Sequence, residues 1–250
     1  MTPPYDQRTP RDEGRAVDES QWQQCRLLYE LLALARPRMN DRQRRLFAVA
    51  CCRRFEHLMA DVRSRAAIAV AARFAVGDAT EQERIVAEAD AAEAYVAIRD
   101  SRLTLEPAVP WSRQAELLAQ AALLSVTPGV YYAEDAADCL RWGLLAANGW
   151  GCEQAEETAQ CRLLREIVGP LPFHRARVEP LWLAYNDGAV RQLAWLIDRE
   201  QAFEVMPILA DALEEAGCCD ARLLSHCLQA GGHVRGCWVI DLLLGQTGGR

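Results

Sequence analysis

Apolar residues along this chain recur at spacings of three and four, and no stretch sustains the strict alternation of a half-buried strand. That pattern predicts an all-α fold, an irregular array or bundle of short antiparallel helices joined by glycine- and proline-marked turns. A first helix is expected from about Ser20 to Ala35, stopping ahead of Pro37, because the residue before a proline disfavours helical dihedrals. A second lies in "RQRRLFAVACCRRFEHLMA", with Asn40 or Asp41 as its cap. On it Phe47, Cys51, Phe55 and Leu58 follow at spacings of four, four and three, which predicts one shared, buried face.

The same reading continues down the chain. Arg63 to Val76 is a helix ended by Gly77, and "ATEQERIVAEADAAEAYVAIRD" is the next, with Thr80 and Glu83 placed as a capping box. After the "LEPAVPW" break come helices at about Ser112 to Val126, Ala133 to Asn148 and Glu153 to Val168, the last ended by Gly169 and Pro170. "PLPFHRARVEPLWLAYNDG" carries four structure breakers and reads as an extended, packed connection anchored by Phe173, Leu181 and Trp182. Four short helices follow, at Ala189 to Arg199, Phe203 to Ala216, Ala221 to Gln229 and Val234 to Leu244. The organisation expected is a polar, disordered N-terminal arm over residues 1–19, a helical domain over 20–169, a connection over 170–188 and a C-terminal helical cap over 189–250 packed on the first part. No repeat of fixed period supports a solenoid.

Composition narrows the chemistry. All 28 basic residues are arginine, so Schiff-base catalysis and a P-loop lysine are excluded. A net charge of −7 argues against a surface coated for nucleic acid as a whole. No targeting signal and no run of about 18 apolar residues is visible, which points to a cytoplasmic protein without a membrane span. The ten cysteines include two adjacent pairs, Cys51 with Cys52 and Cys218 with Cys219, a spacing suited to helices, and they are read as reduced.

The segments "RQRRLFAVACCRR", "CRLLREIVG" and "MPILADALEEAGCCDARLLSHCLQAGGHVRGCWVIDLLLG" resemble the signatures of a large paralogous family of planctomycete proteins. The resemblance spans roughly Gln21 to Gly245, is strongest at the two ends, and is loose from about Thr80 to Asn148. It implies no activity. Relatives tend to carry a proline at or near His174, so no function rests on that histidine, and a small polar residue at Cys219, which makes it the least expected member of any site.

Two constellations hold candidate chemistry. Cys218, His226, His233 and Cys237 stand in a C-x7-H-x6-H-x3-C order, with Cys227 as a spare, and offer four nitrogen and sulfur ligands of the kind zinc takes. His233 and Cys237, four apart, would share a helical face, whereas the opening pair is too wide for a zinc knuckle. The competing reading makes the cysteines core packing and the histidines partners of turn carbonyls. A reactive thiol at Cys218 or Cys219 beside His226 or His233 is a further option. The second constellation is basic: between Arg36 and Arg65 nine arginines face Asp41, Glu56 and Asp61, and Arg42, Arg45 and Arg53 project opposite Phe47 and Phe55, where they could meet phosphates. Its competing reading is a solvated face or one paired with acidic helices such as Glu81 to Glu93.

Asp211, Glu214 and Glu215 occupy the polar sides of helices, and the tryptophans, including Trp142, Trp150, Trp182, Trp195 and Trp238, read as core anchors, with one or two left for a partner surface. No phosphate loop, nucleophile elbow or kinase signature appears. The function expected is therefore non-catalytic: a scaffold or regulatory module that binds a protein partner, with a zinc-stabilised protein and a nucleic-acid binder as alternatives. No cofactor is expected unless zinc occupies the cluster.

Overall fold

The computed structural model describes residues 19–104, 110–129, 131–149, 151–170 and 177–246. The N-terminal arm, apart from Glu19, and Trp150, Phe173 and His174 lie outside the described residues. Those described form thirteen α-helices and no strand, so the chain is all-α. They are α1 (Glu19–Gln24), α2 (Leu28–Ala35), α3 (Asp41–Arg53), α4 (Val62–Ala75), α5 (Glu81–Thr104), α6 (Pro110–Val126), α7 (Tyr132–Asn148), α8 (Cys152–Val168), α9 (Pro180–Ala184), α10 (Ala189–Glu200), α11 (Met206–Glu215), α12 (Ala221–Cys227) and α13 (Trp238–Leu243).

Helix α3 begins at a complete capping box, in which Asn40 and Gln43 each accept from the other's backbone amide. It is buried on more than one side: Leu46, Phe47, Ala48, Val49, Cys51 and Cys52 are all interior. An amphipathic surface helix buries one stripe, so α3 is the central element of the first core. Phe47, Cys51 and Phe55 are buried as their spacing required, but Leu58 is 44 % exposed. The reason is local: α3 ends at Arg53 and the chain tightens into a 3-10 turn at Glu56–Leu58, so the i, i+4 register no longer holds.

Around α3 the interior is lined by alanine. Ala67, Ala71, Ala91, Ala121, Ala122, Ala136 and Ala137 are fully enclosed, and such small side chains let α4 to α7 approach closely. The box at Thr80 and Glu83 caps α5, and its hydrogen bonds, with Arg73 added, hold the Glu83 carboxyl down at about 2.

The first expected helix is two. Residues between α1 and α2 leave the helical path because outside partners take the freed backbone groups. The Leu28 amide donates to Glu157 Oε1 at 3.0 Å, and the Arg165 guanidinium donates to the Trp22 and Cys25 carbonyls. Within the expected connection, Pro180–Ala184 is a helix started by a proline in its first turn.

Buried apolar residues fall into two clusters. One runs from Trp22 to Val168, and the other joins Trp182, Val190, Ile197, Met206, Leu209, Leu213, Leu223 and residues of α13. The clusters meet where the end of α8 faces the start of α13. At Gly169, φ is +75°, and a Cβ there would lie 2.7 Å from the Trp238 ring, so only glycine lets the two ends close. At Gly236, φ is +90°, and an added Cβ would lie 2.8 Å from Leu46 of α3. The Arg42–Asp241 ion pair, with Arg42 also donating to Gln246 at 2.6 Å, ties α3 to α13 alongside.

Candidate metal centre and a solvent groove

Three of the four candidate ligands come together, and the fourth partner is a residue that the sequence did not single out. Glu166, on the last turn of α8, joins His226 on α12, His233 in the turn ahead of α13 and Cys237 at the N-cap of α13. One ligand atom from each lies within 4.8 Å of all the others. His226 Nε2 is 3.2 Å from Cys237 Sγ and 3.4 Å from Glu166 Oε2, and His233 Nδ1 is 3.0 Å from Glu166 Oε1.

Cys218 stands elsewhere. It follows Gly217 at the end of α11, its amide bonds to the Leu213 carbonyl at 2.9 Å, and it is buried in the second core with Cys227. Nor do His233 and Cys237 share a helix. The helix expected from Val234 starts at Trp238, because Gly231, Gly232 and Gly236 all have positive φ; a turn, closed by the Cys237 amide on the Val234 carbonyl, brings the two together. Glu166 was legible in one respect: it sits on the stripe of α8 that buries Leu163, Leu164 and Ile167. A carboxylate on an apolar face needs a partner.

The electrostatics follow from enclosure. The Glu166 and His233 side chains are 8 % and 2 % exposed, and Cys237 is 0 % exposed. Burial pushes the Glu166 carboxyl up, but hydrogen bonds and charge from His226 and His233 prevail and hold it at about 2. The hydrogen bond to Glu166 raises the His233 imidazolium against the opposing effect of burial. Burial, then the Glu166 charge, pushes the Cys237 thiol well above its usual range.

A thiol that is enclosed and held protonated is a poor nucleophile. The geometry also differs from a Cys-His-carboxylate triad, in which the base meets nucleophile and carboxylate through opposite ring nitrogens. Here Cys237 and Glu166 both face the same Nε2 of His226. Ring packing fixes the histidines: His226 lies edge-on to His233 at 5.0 Å and tilted against Trp238 at 5.2 Å. His233 is reached from a cavity of about 310 Å³ that Phe203, Val234, Arg53 and Leu46 also line.

The basic constellation is committed within the molecule. Arg42 pairs with Asp241; Arg45 donates to the carbonyls of Ser125 and Val126 and lies 5.1 Å over the Phe74 ring. Arg53 donates to Gln201 at 3.4 Å, and burial lowers the guanidinium pKa of both Arg45 and Arg53. All ten cysteines are free thiols.

A second feature lies along the solvent side of α10. A groove of about 1030 Å³ runs between α10, the end of α4 and the end of α13, with Trp195, Leu196, Arg191, Arg199, Asp198 and Leu244 in its lining. Trp195 is 55 % exposed and Leu196 38 % exposed. Trp22, Trp182 and Trp238, by contrast, are buried, and Trp142 is exposed on α7. No helix among the described residues is long and apolar enough to cross a membrane. No family model matches the chain, and neither a curated protein nor a solved structure matches it.

Proposed function

We propose that the chain is a non-catalytic helical module that binds a protein partner along the α10 groove. The observation that carries this reading is Trp195, a large aromatic held more than half exposed in a concave surface beside Leu196, Arg191 and Arg199. Tryptophan and arginine dominate the energetics of protein interfaces, and an exposed apolar concavity marks a contact site. The guanidinium of Arg199 lies 5.6 Å over the Trp195 ring, a cation–π contact within the groove lining. The lining has three arginines, Arg191, Arg199 and Arg235, against Asp78 and Asp198, which suits a segment with an apolar anchor and acidic flanks.

The reading is tested with Trp195→Ala and Arg199→Glu in one variant and Leu181→Ser, at another exposed site, as a control. A partner retained by the wild-type chain and by the control should be lost by the groove variant, with affinity down by about 100-fold or more. A partner that binds all three chains equally would place the interface elsewhere.

A further inference from the structure

We infer that Glu166, His226, His233 and Cys237 form a closed binding site for one zinc ion, which staples the C-terminal helices to the first core. Four observations lead there, independent of the groove.

The donor set is two imidazole nitrogens, one thiolate sulfur and one carboxylate oxygen. That set suits zinc and disfavours magnesium and calcium, which take oxygen ligands.

The dimensions fit as well. Four ligands at zinc bond lengths sit on a tetrahedron with edges of roughly 3.3–3.7 Å. His226 Nε2 is 3.2 Å from Cys237 Sγ and 3.4 Å from Glu166 Oε2, His233 Nδ1 is 3.0 Å from the other carboxylate oxygen, and one donor atom from each residue lies within 4.8 Å of the rest, so shifts of about 1 Å bring the four to tetrahedral spacing around one Glu166 oxygen.

The orientation of His233 is already set for a ligand. Its Nε2 is 3.2 Å from the Gln229 carbonyl, which requires the proton on that nitrogen and leaves Nδ1 facing the Glu166 oxygen. A proton on Nδ1 satisfies this contact in the chain as it stands; once that proton leaves, the Nδ1 lone pair faces the carboxylate, and a metal ion can take the proton's place. The Cys237 thiol and the Glu166 carboxylate likewise converge on one nitrogen of His226, which brings three donor atoms to the same point.

Charge closes the argument. With Cys237 as thiolate and Glu166 as carboxylate, the two negative charges balance a divalent ion in a largely enclosed pocket. Binding releases the Cys237 thiol proton and the proton shared between His233 and Glu166 to solvent, so the filled site is neutral. With four protein ligands and no open position, the ion would be structural. Glu166 stands on α8 among residues of the first core, and Cys237 belongs to the second, with His226 on α12 and His233 in the turn between, so the ion would cross-link segments 60 or more positions apart in sequence. The cavity at His233 gives the ion a way in.

The test uses the full chain, stripped of metal with a chelator and titrated with cobalt(II) and zinc(II). One equivalent of cobalt should give the intense visible bands of a tetrahedral site and an ultraviolet thiolate charge-transfer band, and zinc should displace it. Cys237→Ser should abolish the charge-transfer band, Glu166→Gln should weaken binding by about 10-fold or more, and Cys218→Ser should leave stoichiometry and spectrum unchanged. Zinc should raise the urea midpoint of the wild-type chain and not that of His233→Ala. A folded wild-type chain that takes up neither metal, or binding that survives in Cys237→Ser and disappears in Cys218→Ser, would overturn the inference. The wild-type titration decides the matter even if a variant fails to fold.

Discussion

Gly169 and Trp238 show how one residue without a side chain positions a site. Gly169 ends α8 with φ at +75°, and the Trp238 ring occupies the place where a Cβ would stand. Glycine here does more than end a helix, because it sets the distance between Glu166, three residues earlier, and Cys237, one residue before the tryptophan. Gly169→Ala is expected to lower stability by about 1–3 kcal/mol, from the strained dihedral and the displaced ring together. A urea titration followed by tryptophan fluorescence reads both the midpoint and the altered Trp238 environment; an unchanged midpoint would show that the α8 end moves away at no cost. Glycine and proline after "CRLLREIV" are visible in the sequence as a helix stop. The ring that fills the space is not, since Trp238 lies 69 positions away.

Among the elements, α3 best illustrates the limit of periodicity. Its apolar spacing announced a helix with a buried face, and Asn40 or Asp41 announced its start; the structure settles on Asn40, in a capping box with Gln43. Burial on further sides depends on neighbours from α7 and α8 that no local pattern names. The arginines of α3 make the same point. Arg42 looked like a solvent-facing charge, yet it pairs with Asp241, whose side chain is 0 % exposed. Burial raises the Asp241 carboxyl, Arg42 lowers it, and the neighbouring Asp198 raises it.

Removing the cation leaves an uncompensated buried carboxylate, so Arg42→Gln is expected to lose about 3 kcal/mol at neutral pH. The sign of its pH dependence follows from linkage. A carboxyl whose pKa is raised by folding favours the folded state when protonated, so the deficit is largest above its folded pKa and shrinks as pH falls through it. Chemical denaturation of both chains between neutral and mildly acidic pH checks this, and a deficit that grows on acidification would refute the assignment. The same variant bears on nucleic-acid binding, because Arg42 lost from an internal pair acts through stability, whereas Arg42 lost from a phosphate contact acts through the salt dependence of affinity.

Across the whole molecule, two apolar cores share one boundary. Leu46 against Gly236, Arg42 with Asp241, Arg53 with Gln201 and the Glu166 cluster all cross it. A boundary held by packing and polar ties at once should make the two cores unfold together. Phe47→Ala, which empties the centre of the first core, is expected to cost about 3–5 kcal/mol. Amide hydrogen exchange on α11, in the second core, should fall in protection by the same amount; protection retained there would mean that the cores open separately.

The sequence by itself determined the class and the course of the chain: helices where apolar residues recur every three or four positions, stops at Gly77 and Gly169, a cap at Asn40 or Asp41 and another at Thr80, and free thiols rather than a disulfide framework. These are local quantities, set by dihedral preference and by groups within a turn or two of one another. Only the tertiary structure decided which polar residues meet. It replaced Cys218 with Glu166 beside His226, His233 and Cys237, turned Arg42 and Arg45 onto acceptors inside the fold, and left Trp195 facing solvent in a groove while burying Trp238. Those outcomes depend on how helices far apart in sequence pack against α3 and α8, and packing over such separations leaves no periodic trace in the chain.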